Sequence, residues 1–500
     1  MSNNIYQLTK IYKKKVDIQV FVLCDNIKNK VEEIFAKLKL DFKIPKTFFD
    51  EYKLNKKTTE KRLYFDEYEI LFIFVGKTEK CNNKNLYEIY GRLGKKIYDE
   101  QKNVQINLFD NDSILQNEII SYILGNYHFT NFKTESNLEN KIENKIKNTY
   151  FYHPKKKYHS LIEKSIQIAI IQNEIRSLIN TPANILNSSA YLKYIKNNIS
   201  QNKNYKDKIK LKVINQEQLK KIGCNLILGV NQGSKNEAMM IILEYKNNNS
   251  NVKSKSKSKS KPIVLIGKGV MFDSGGYNLK HGDFSDMKND MTGSAIIYGL
   301  LKLLADNNIK GHFIGILPIV ENMIDAAAIR PGDILTAYNK KTVEVVDTDA
   351  EGRLIIADAL AYSKNYNPYL CIDVATLTGQ AAQIFGNKSG VIMGTDNKII
   401  NNAINSAIEC NEKLWELPMW EEYVELTKSS IADYKNHTSS THASTIMGGA
   451  FISNFIPENS KWIHLDIAGI DNLYESTNMR TSGASGEILR TLFTFLQKIN

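Results

Sequence analysis

From about residue 180 to the end, short apolar runs alternate with segments of helical spacing. That alternation limits the fold more than any other property of the chain. Met239–Tyr245, Ile263–Ile266, His312–Leu317, Thr342–Val346 and Leu370–Val374 read as strands. Strands separated by helices form a largely parallel sheet, because each helical crossover carries the chain back to the end of the sheet where the previous strand began. A smaller unit of the same kind precedes it. There Ile18–Cys24 and Glu69–Val75 read as strands, and Asn85–Asp99 and Ser113–Tyr127 as helices. Between the two, Tyr158–Ile179 is one long helical pattern, stopped at Asn180-Thr181-Pro182 because proline cannot continue a helix. The expected class is α/β: a small N-terminal α/β domain over residues 1–155, a helical connector over 156–182, and a larger α/β domain over 183–500. The larger domain should hold a central, mostly parallel or mixed sheet flanked by helices. A chain of 500 residues exceeds what one core usually organises, which also points to two domains.

Composition removes several function classes. The hydrophobic fraction of 42% is that of an ordinary globular protein. A net charge of +12 favours acidic partners in general, but the lysines are spread along the chain and form no single stripe, so nucleic acid is not the expected partner. Five cysteines (Cys24, Cys81, Cys224, Cys371, Cys410) contain no CxxC pair, which argues against a disulfide framework and against a thiolate zinc site. The polar start leads to an apolar run, Val16–Cys24, interrupted by Asp17 and Gln19 and thus a poor signal-peptide core. No apolar stretch reaches the roughly 20 residues of a membrane span. The expectation is a cytoplasmic protein without a membrane partner. KSKSKSKSK at Lys253–Lys261 falls between two expected strands and reads as a tolerated, solvated loop.

The densest chemistry lies in DTDAEGRL, Asp347–Leu354, between the expected strand TVEVV and the helical run LIIADALAY. In extended chain Asp349, Glu351 and Arg353 would share a face. Two carboxylates and a guanidinium together suit divalent cations and a bound anion, although a surface turn with a local ion pair would account for the octapeptide by itself. Upstream, GKGVMFDSGGYNLK (Gly267–Lys280) sets Lys268, Asp273 and Lys280 around a Ser-Gly-Gly turn, and Asp290 follows just before a helix expected near Thr292. Asp273, Asp290, Asp349 and Glu351 are thus candidate metal ligands. Packed without a cation, four carboxylates repel one another and are driven towards protonation. Two divalent ions, roughly 3.5–4 Å apart in such sites, offset that charge.

These motifs resemble the leucyl aminopeptidase family, in which GKG-x(3)-DSGG-x(3)-K and TDAEGRL are diagnostic. The resemblance runs from about Asn180 to Leu492 and takes in NTPANILN at 180–187, RPGDILTA at 330–337, DVATLTG at 373–379 and WIHLDIAG at 462–469. It implies a hydrolase that releases N-terminal residues, preferably Leu- or Met-like, from short peptides. Lys268, as a neutral amine, and Asp290 would bind one metal, Asp273 and Glu351 would bridge both, and Asp349 would hold the second, more exchangeable ion. The metals would be Zn2+ or Mn2+, with Mg2+ or Co2+ as alternatives. Lys280 would stay protonated and stabilise the developing oxyanion, and Arg353 would hold a bicarbonate as general base. Met287, Thr376 and Gly379 would line the side-chain pocket, and the carbonyl of Leu377 with neighbouring amides would position substrate and bicarbonate. The family's homohexamer is carried over as an expectation. Rival readings are a cysteinylglycine-type dipeptidase and a DNA-binding or scaffold protein. The chain departs from the family pattern in four places: Asp347 replaces an Asn, His281 a Pro, Asn339-Lys340-Lys341 a Gly-Lys turn, and KNHTSSTHASTIMGGA (Lys435–Ala450) is richer in Ser and Thr.

Overall fold

The computed structural model describes residues 6–9, 16–24, 27–40, 58–65, 67–76, 82–100, 102–108, 112–134, 148–247, 261–438, 442–477 and 479–499. Chain contacts divide it into two compact units, one comprising Met1–Asn173 with Glu475–Ser482, the other Glu174–Tyr474 with Gly483–Asn500.

The N-terminal unit is built on strands β1 (Tyr6–Thr9), β2 (Ile18–Cys24), β3 (Thr59–Tyr64), β4 (Glu69–Gly76), β5 (Val104–Asn107) and β6 (Thr149–Tyr152), in the order β1-β6-β5-β2-β4-β3. All neighbours are parallel except β3 against β4. Every residue of β2 is buried, as expected of a strand covered on both faces. Cys24 is disulfide-bonded, which departs from the expectation drawn from cysteine spacing, since spacing does not report which side chains the fold brings together. Cys224, Cys371 and Cys410 are free and buried.

The C-terminal unit holds the larger sheet. Its strands are β7 (Ile209–Ile214), β8 (Met239–Asn247), β9 (Ile263–Gly267), β10 (Gly269–Asp273), β11 (Gly311–Asn322), β14 (Leu370–Ala375), β15 (Gly390–Gly394), β16 (Leu414–Glu416) and β18 (Lys461–Asp466). The order is β16-β15-β18-β14-β9-β11-β8-β7, with β10 pairing off β11. The inner four strands, β18, β14, β9 and β11, run parallel, while β15 joins β18, and β8 joins β11 and β7, in antiparallel fashion. The sheet is therefore mixed with a parallel centre. Helix Thr292–Asp306 is buried along every residue from Thr292 to Ala305, and its all-round apolar sequence (TGSAIIYGLLKLLAD) explains why it runs through the core rather than over the surface.

One expected strand of the central sheet belongs elsewhere. The run Thr342–Val346 contributes only β13 (Thr342–Glu344), which pairs with β12 (Ile334–Thr336) and β17 (Tyr434–Lys435) in a separate three-stranded sheet. An apolar run marks a strand but not its neighbours, and only Val343 and Val345 of this one are buried. The KSKSKSKSK stretch, Lys261 excepted, lies outside the described residues. No described helix is long and apolar enough to cross a membrane.

Candidate metal centre

The parallel strands deliver the chemistry at their C-terminal ends, where open α/β sheets characteristically place ligands. Lys268 follows β9, Asp273 ends β10, Asn322 ends β11, Thr376 follows β14 and Asp466 ends β18. The backbone ladder sets the relative heights: Lys268 N–H donates to the Val374 carbonyl (3.0 Å) and Lys268 C=O accepts from Ser294 N–H (2.8 Å). The lysine that sequence ties to the carboxylates is thereby locked between β14 and the start of helix Thr292–Asp306.

Lys268 Nζ, buried, reaches Asp290 Oδ1 (2.7 Å), Glu351 Oε1 (2.8 Å) and the Thr376 carbonyl (2.8 Å). Lys280 Nζ joins Asp273 Oδ2 (2.8 Å) to Asp349 Oδ1 (2.5 Å). One oxygen each from Asp273, Asp290 and Glu351 lies within 4.8 Å of the others. Asp349 stands outside that trio, tied to it through Lys280, and its side chain keeps 32% of its surface exposed. The four candidate carboxylates and both lysines are thus brought together from three chain segments, 268–280, 290 and 349–351.

Burial pushes the Asp273, Asp290 and Asp349 carboxyls upward, the last to about 8, with repulsion from neighbouring carboxylates adding to the shift. Glu351 is the exception: burial opposes its charge, but Lys268 and Lys280 prevail and hold it below its ordinary range. Burial alone would lower Lys268 and Lys280, yet the carboxylates around them raise both. Lys268 is therefore an ammonium in the cation-free cluster, and the neutral amine expected of a metal ligand requires the cation's own charge to displace the proton. The donor set fits such a cation. Three buried carboxylates converge, and Asp290 Oδ2 is buried without a hydrogen-bond partner.

The extended-face argument for Asp349, Glu351 and Arg353 does not hold. Glu351 is the N-cap of helix Gly352–Tyr362 with helical torsions, and Arg353 lies in its first turn. The chain turns instead of running straight, with Asp349 N–H donating to Asp347 Oδ1 (2.8 Å). Asp347, the departure from the family's Asn, thus serves as the local turn cap. Arg353 is buried; its Nη1 donates to the Asn436 carbonyl (2.8 Å) and its Nε has no partner, leaving a donor for an anion. Gly275 and Gly276 adopt φ of 87° and 64°, which side-chain-bearing residues rarely take, and let the turn after Asp273 fold back so that Asp273 Oδ1 accepts from Gly275 N–H (2.9 Å).

Of the substrate residues expected from sequence, Thr376 touches the cluster directly, its hydroxyl donating to Asp290 Oδ1 (2.8 Å). Met287 is half-buried on the 3-10 segment Ser285–Met291 that also carries Asp290. Gly379 opens helix Gly379–Phe385, and a side chain there would meet open space. The amides of Leu377 and Thr378 are not available to a ligand, because both donate to Asp466 Oδ1 (3.1 and 3.5 Å). Sequence reading missed Asp466, as it missed Asn322, whose amide donates to Asp273 Oδ1 (2.8 Å) and the Thr348 carbonyl (3.0 Å). It also missed Asp373, which takes Trp462 Nε1 (2.7 Å) and pairs with His464 Nδ1 (2.5 Å). Their common signal is a polar residue inside or ending an otherwise apolar strand.

A sequence profile of the cytosol aminopeptidase family, catalytic domain, matches residues 173–493. The chain belongs to this family. A probable cytosol aminopeptidase of Haemophilus influenzae (strain PittEE) is 41% identical over 322 residues, 64% of this chain and 62% of the relative, so the match spans less than two thirds of that relative's length. A probable cytosol aminopeptidase of Histophilus somni (strain 129Pt) is 35% identical over 441 residues, 85% of each chain. The solved structure of a mutant tomato leucine aminopeptidase superposes with a TM-score of 0.81 at 26% identity, covering 99% of this chain and 96% of that one. Family membership and the α/β architecture, a small N-terminal and a larger C-terminal unit, agree with the reading of the motifs.

Proposed function

We propose that the chain is a metal-dependent aminopeptidase releasing single N-terminal residues, preferably Leu- or Met-like, from short peptides. The observation that carries this reading is the convergence of Asp273, Asp290 and Glu351 within 4.8 Å, flanked by Lys268 and by Lys280 with Asp349. Asp273, Asp290, Asp349, Glu351 and Lys268 would hold two divalent ions, Zn2+ or Mn2+ foremost, with Mg2+ or Co2+ as alternatives. Such ions supply Lewis acidity towards a carbonyl and lower the pKa of water. The protein's own share is placement and charge. Lys280, held protonated by Asp273, Glu351 and Asp349, would hydrogen-bond the oxygen on which charge develops during amide cleavage. Arg353, with its buried Nε unpaired, would hold the bicarbonate that serves as general base. Met287, Thr376 and Gly379 would shape the side-chain pocket, the open space at Gly379 leaving room for a Leu-sized group, and the Leu377 carbonyl would help position substrate. A cytoplasmic homohexamer, with the N-terminal domain serving assembly, belongs to the same reading.

The test is hydrolysis of leucyl-fluorophore substrates by metal-stripped protein after addition of Mn2+, Zn2+, Co2+ or Mg2+, with and without bicarbonate, alongside Asp349→Ala. Turnover restored by metal in the native protein and absent in the variant is the expected result. Folded protein that turns over no N-terminal residue with any of these metals would refute the proposal.

A further inference from the structure

Asn436 was given no role by the sequence, yet its side chain alone makes four hydrogen bonds to the backbone of the 346–350 segment. It is completely buried and directly follows β17. The ladder between β13 and β17 (Val343 with Tyr434, Glu344 with Lys435) continues one step further, as Asn436 N–H donates to the Glu344 carbonyl (3.0 Å). This places its side chain against the segment that leads from β13 into Asp347–Glu351. Its Oδ1 accepts from Val346 N–H (2.8 Å) and Asp347 N–H (3.2 Å). Its Nδ2 donates to the Asp347 carbonyl (2.6 Å) and the Ala350 carbonyl (3.2 Å). Its own carbonyl accepts from Arg353 Nη1 (2.8 Å).

We infer that Asn436 is a positioning residue that fixes the Asp349/Glu351 ligand loop and the Arg353 guanidinium in one rigid arrangement. Only a primary amide of this length can accept two N–H groups on one atom and donate to two carbonyls from the other. Aspartate has the same shape but only accepts, so it would face the Asp347 and Ala350 carbonyls with lone pairs. The Asn436 side chain makes all four of its hydrogen bonds to backbone groups and none to a candidate ligand carboxylate. Its effect passes through the carbonyls and amides on both sides of Asp349, and residues that orient metal ligands in this way typically change metal affinity or activity by about 10- to 100-fold when lost.

The inference rests on the metallo-aminopeptidase reading, and the experiment separates the two. Mn2+ binding to metal-stripped wild type, Asn436→Asp and Asn436→Ser is measured by titration calorimetry, with thermal unfolding of the metal-free proteins as control. The expected result is about 10- to 100-fold weaker Mn2+ binding by Asn436→Asp, a smaller loss in Asn436→Ser, which keeps one donor, and a higher bicarbonate concentration for half-maximal rate in both. Variants with a lowered melting temperature but Mn2+ affinity and bicarbonate dependence equal to wild type would overturn the inference and leave Asn436 a mere strut. Wild type that binds no Mn2+ would overturn the metal-site reading itself. Should Asn436→Asp fail to fold, the Ser variant decides alone.

Discussion

Gly352 is the first residue of helix Gly352–Tyr362, where alanine ought to be the better helix former by up to about 1 kcal/mol. The site reverses that preference. A Cβ on Gly352 would lie 2.5 Å from Lys268 Cε, 2.6 Å from its Nζ and 2.8 Å from its Cδ. A lysine tip normally yields to such a contact, but this one is 2% exposed and bound to Asp290, Glu351 and the Thr376 carbonyl. If Lys268 stays, Gly352→Ala overpacks the core at a cost of about 1–3 kcal/mol. If it moves, a buried ion pair breaks at about 3–5 kcal/mol. The first course is the cheaper, and the strain then falls on the atoms that would meet the metal. Gly352→Ala is expected to destabilise the metal-free protein by about 1–3 kcal/mol, and to weaken Mn2+ binding by up to about 100-fold if most of that strain is expressed at the site. Denaturant unfolding of the metal-free protein and calorimetric titration with Mn2+ measure the two effects separately. Wild-type stability together with wild-type Mn2+ affinity would refute the argument that Lys268 is immobile and that Gly352 is there to admit it.

Two further outcomes can be checked away from the metal centre. Glu118 is fully buried in the N-terminal unit with neither oxygen hydrogen-bonded, and burial pushes its carboxyl from 4.5 up to about 8. The folded form therefore retains a proton that the unfolded chain has lost between those values, so stability falls as pH rises through that window, at about 1.4 kcal/mol per pH unit. Denaturant unfolding at pH 5 and pH 8 should show wild type losing roughly 4 kcal/mol relative to Glu118→Gln; parallel pH profiles would refute this. Asp358, also fully buried, accepts from the backbone N–H groups of Leu226 (2.8 Å), Ile227 (3.1 Å) and Tyr338 (2.7 Å). Asp358→Ala strands all three amides and should cost about 3 kcal/mol or more in chemical denaturation, and a loss below about 1 kcal/mol would mean that water reaches them.

Local patterns carried much of this outcome. The helix expected over Asn85–Asp99 forms over Asn83–Glu100, and the strand expected at Leu370–Val374 extends to Ala375, because apolar periodicity reports burial directly. The motif residues do lie together, Lys268 against Asp290 and Glu351 and Lys280 against Asp273 and Asp349. Legibility ended where a contact depends on chain distant in sequence. Nothing in TVEVV announces that β13 would pair with Tyr434–Lys435, and without that pairing Asn436 is one asparagine in an asparagine-rich chain. Asp349, Glu351 and Arg353 were placed on one extended face, but proximity there comes from a turn capped by Asp347 and a helix start, a conformation that period-two reasoning does not reach. Asp466 lies within a recognised motif, yet its task of occupying the Leu377 and Thr378 amides emerges only when β18 is laid beside β14.

The lysine pairs described at the centre bear on how the protein would take up a cation. Lys268 stands between Asp290 and Glu351, and Lys280 between Asp273 and Asp349, so the cation-free protein carries internal stand-ins for the charge that incoming ions would bring. Chelation should then leave an intact, reloadable protein rather than a collapsing one, unlike small zinc domains that unfold without their metal. Loading becomes an exchange in which an arriving ion must evict a bound ammonium proton from Lys268. Uptake should therefore release a proton and be favoured by alkaline conditions.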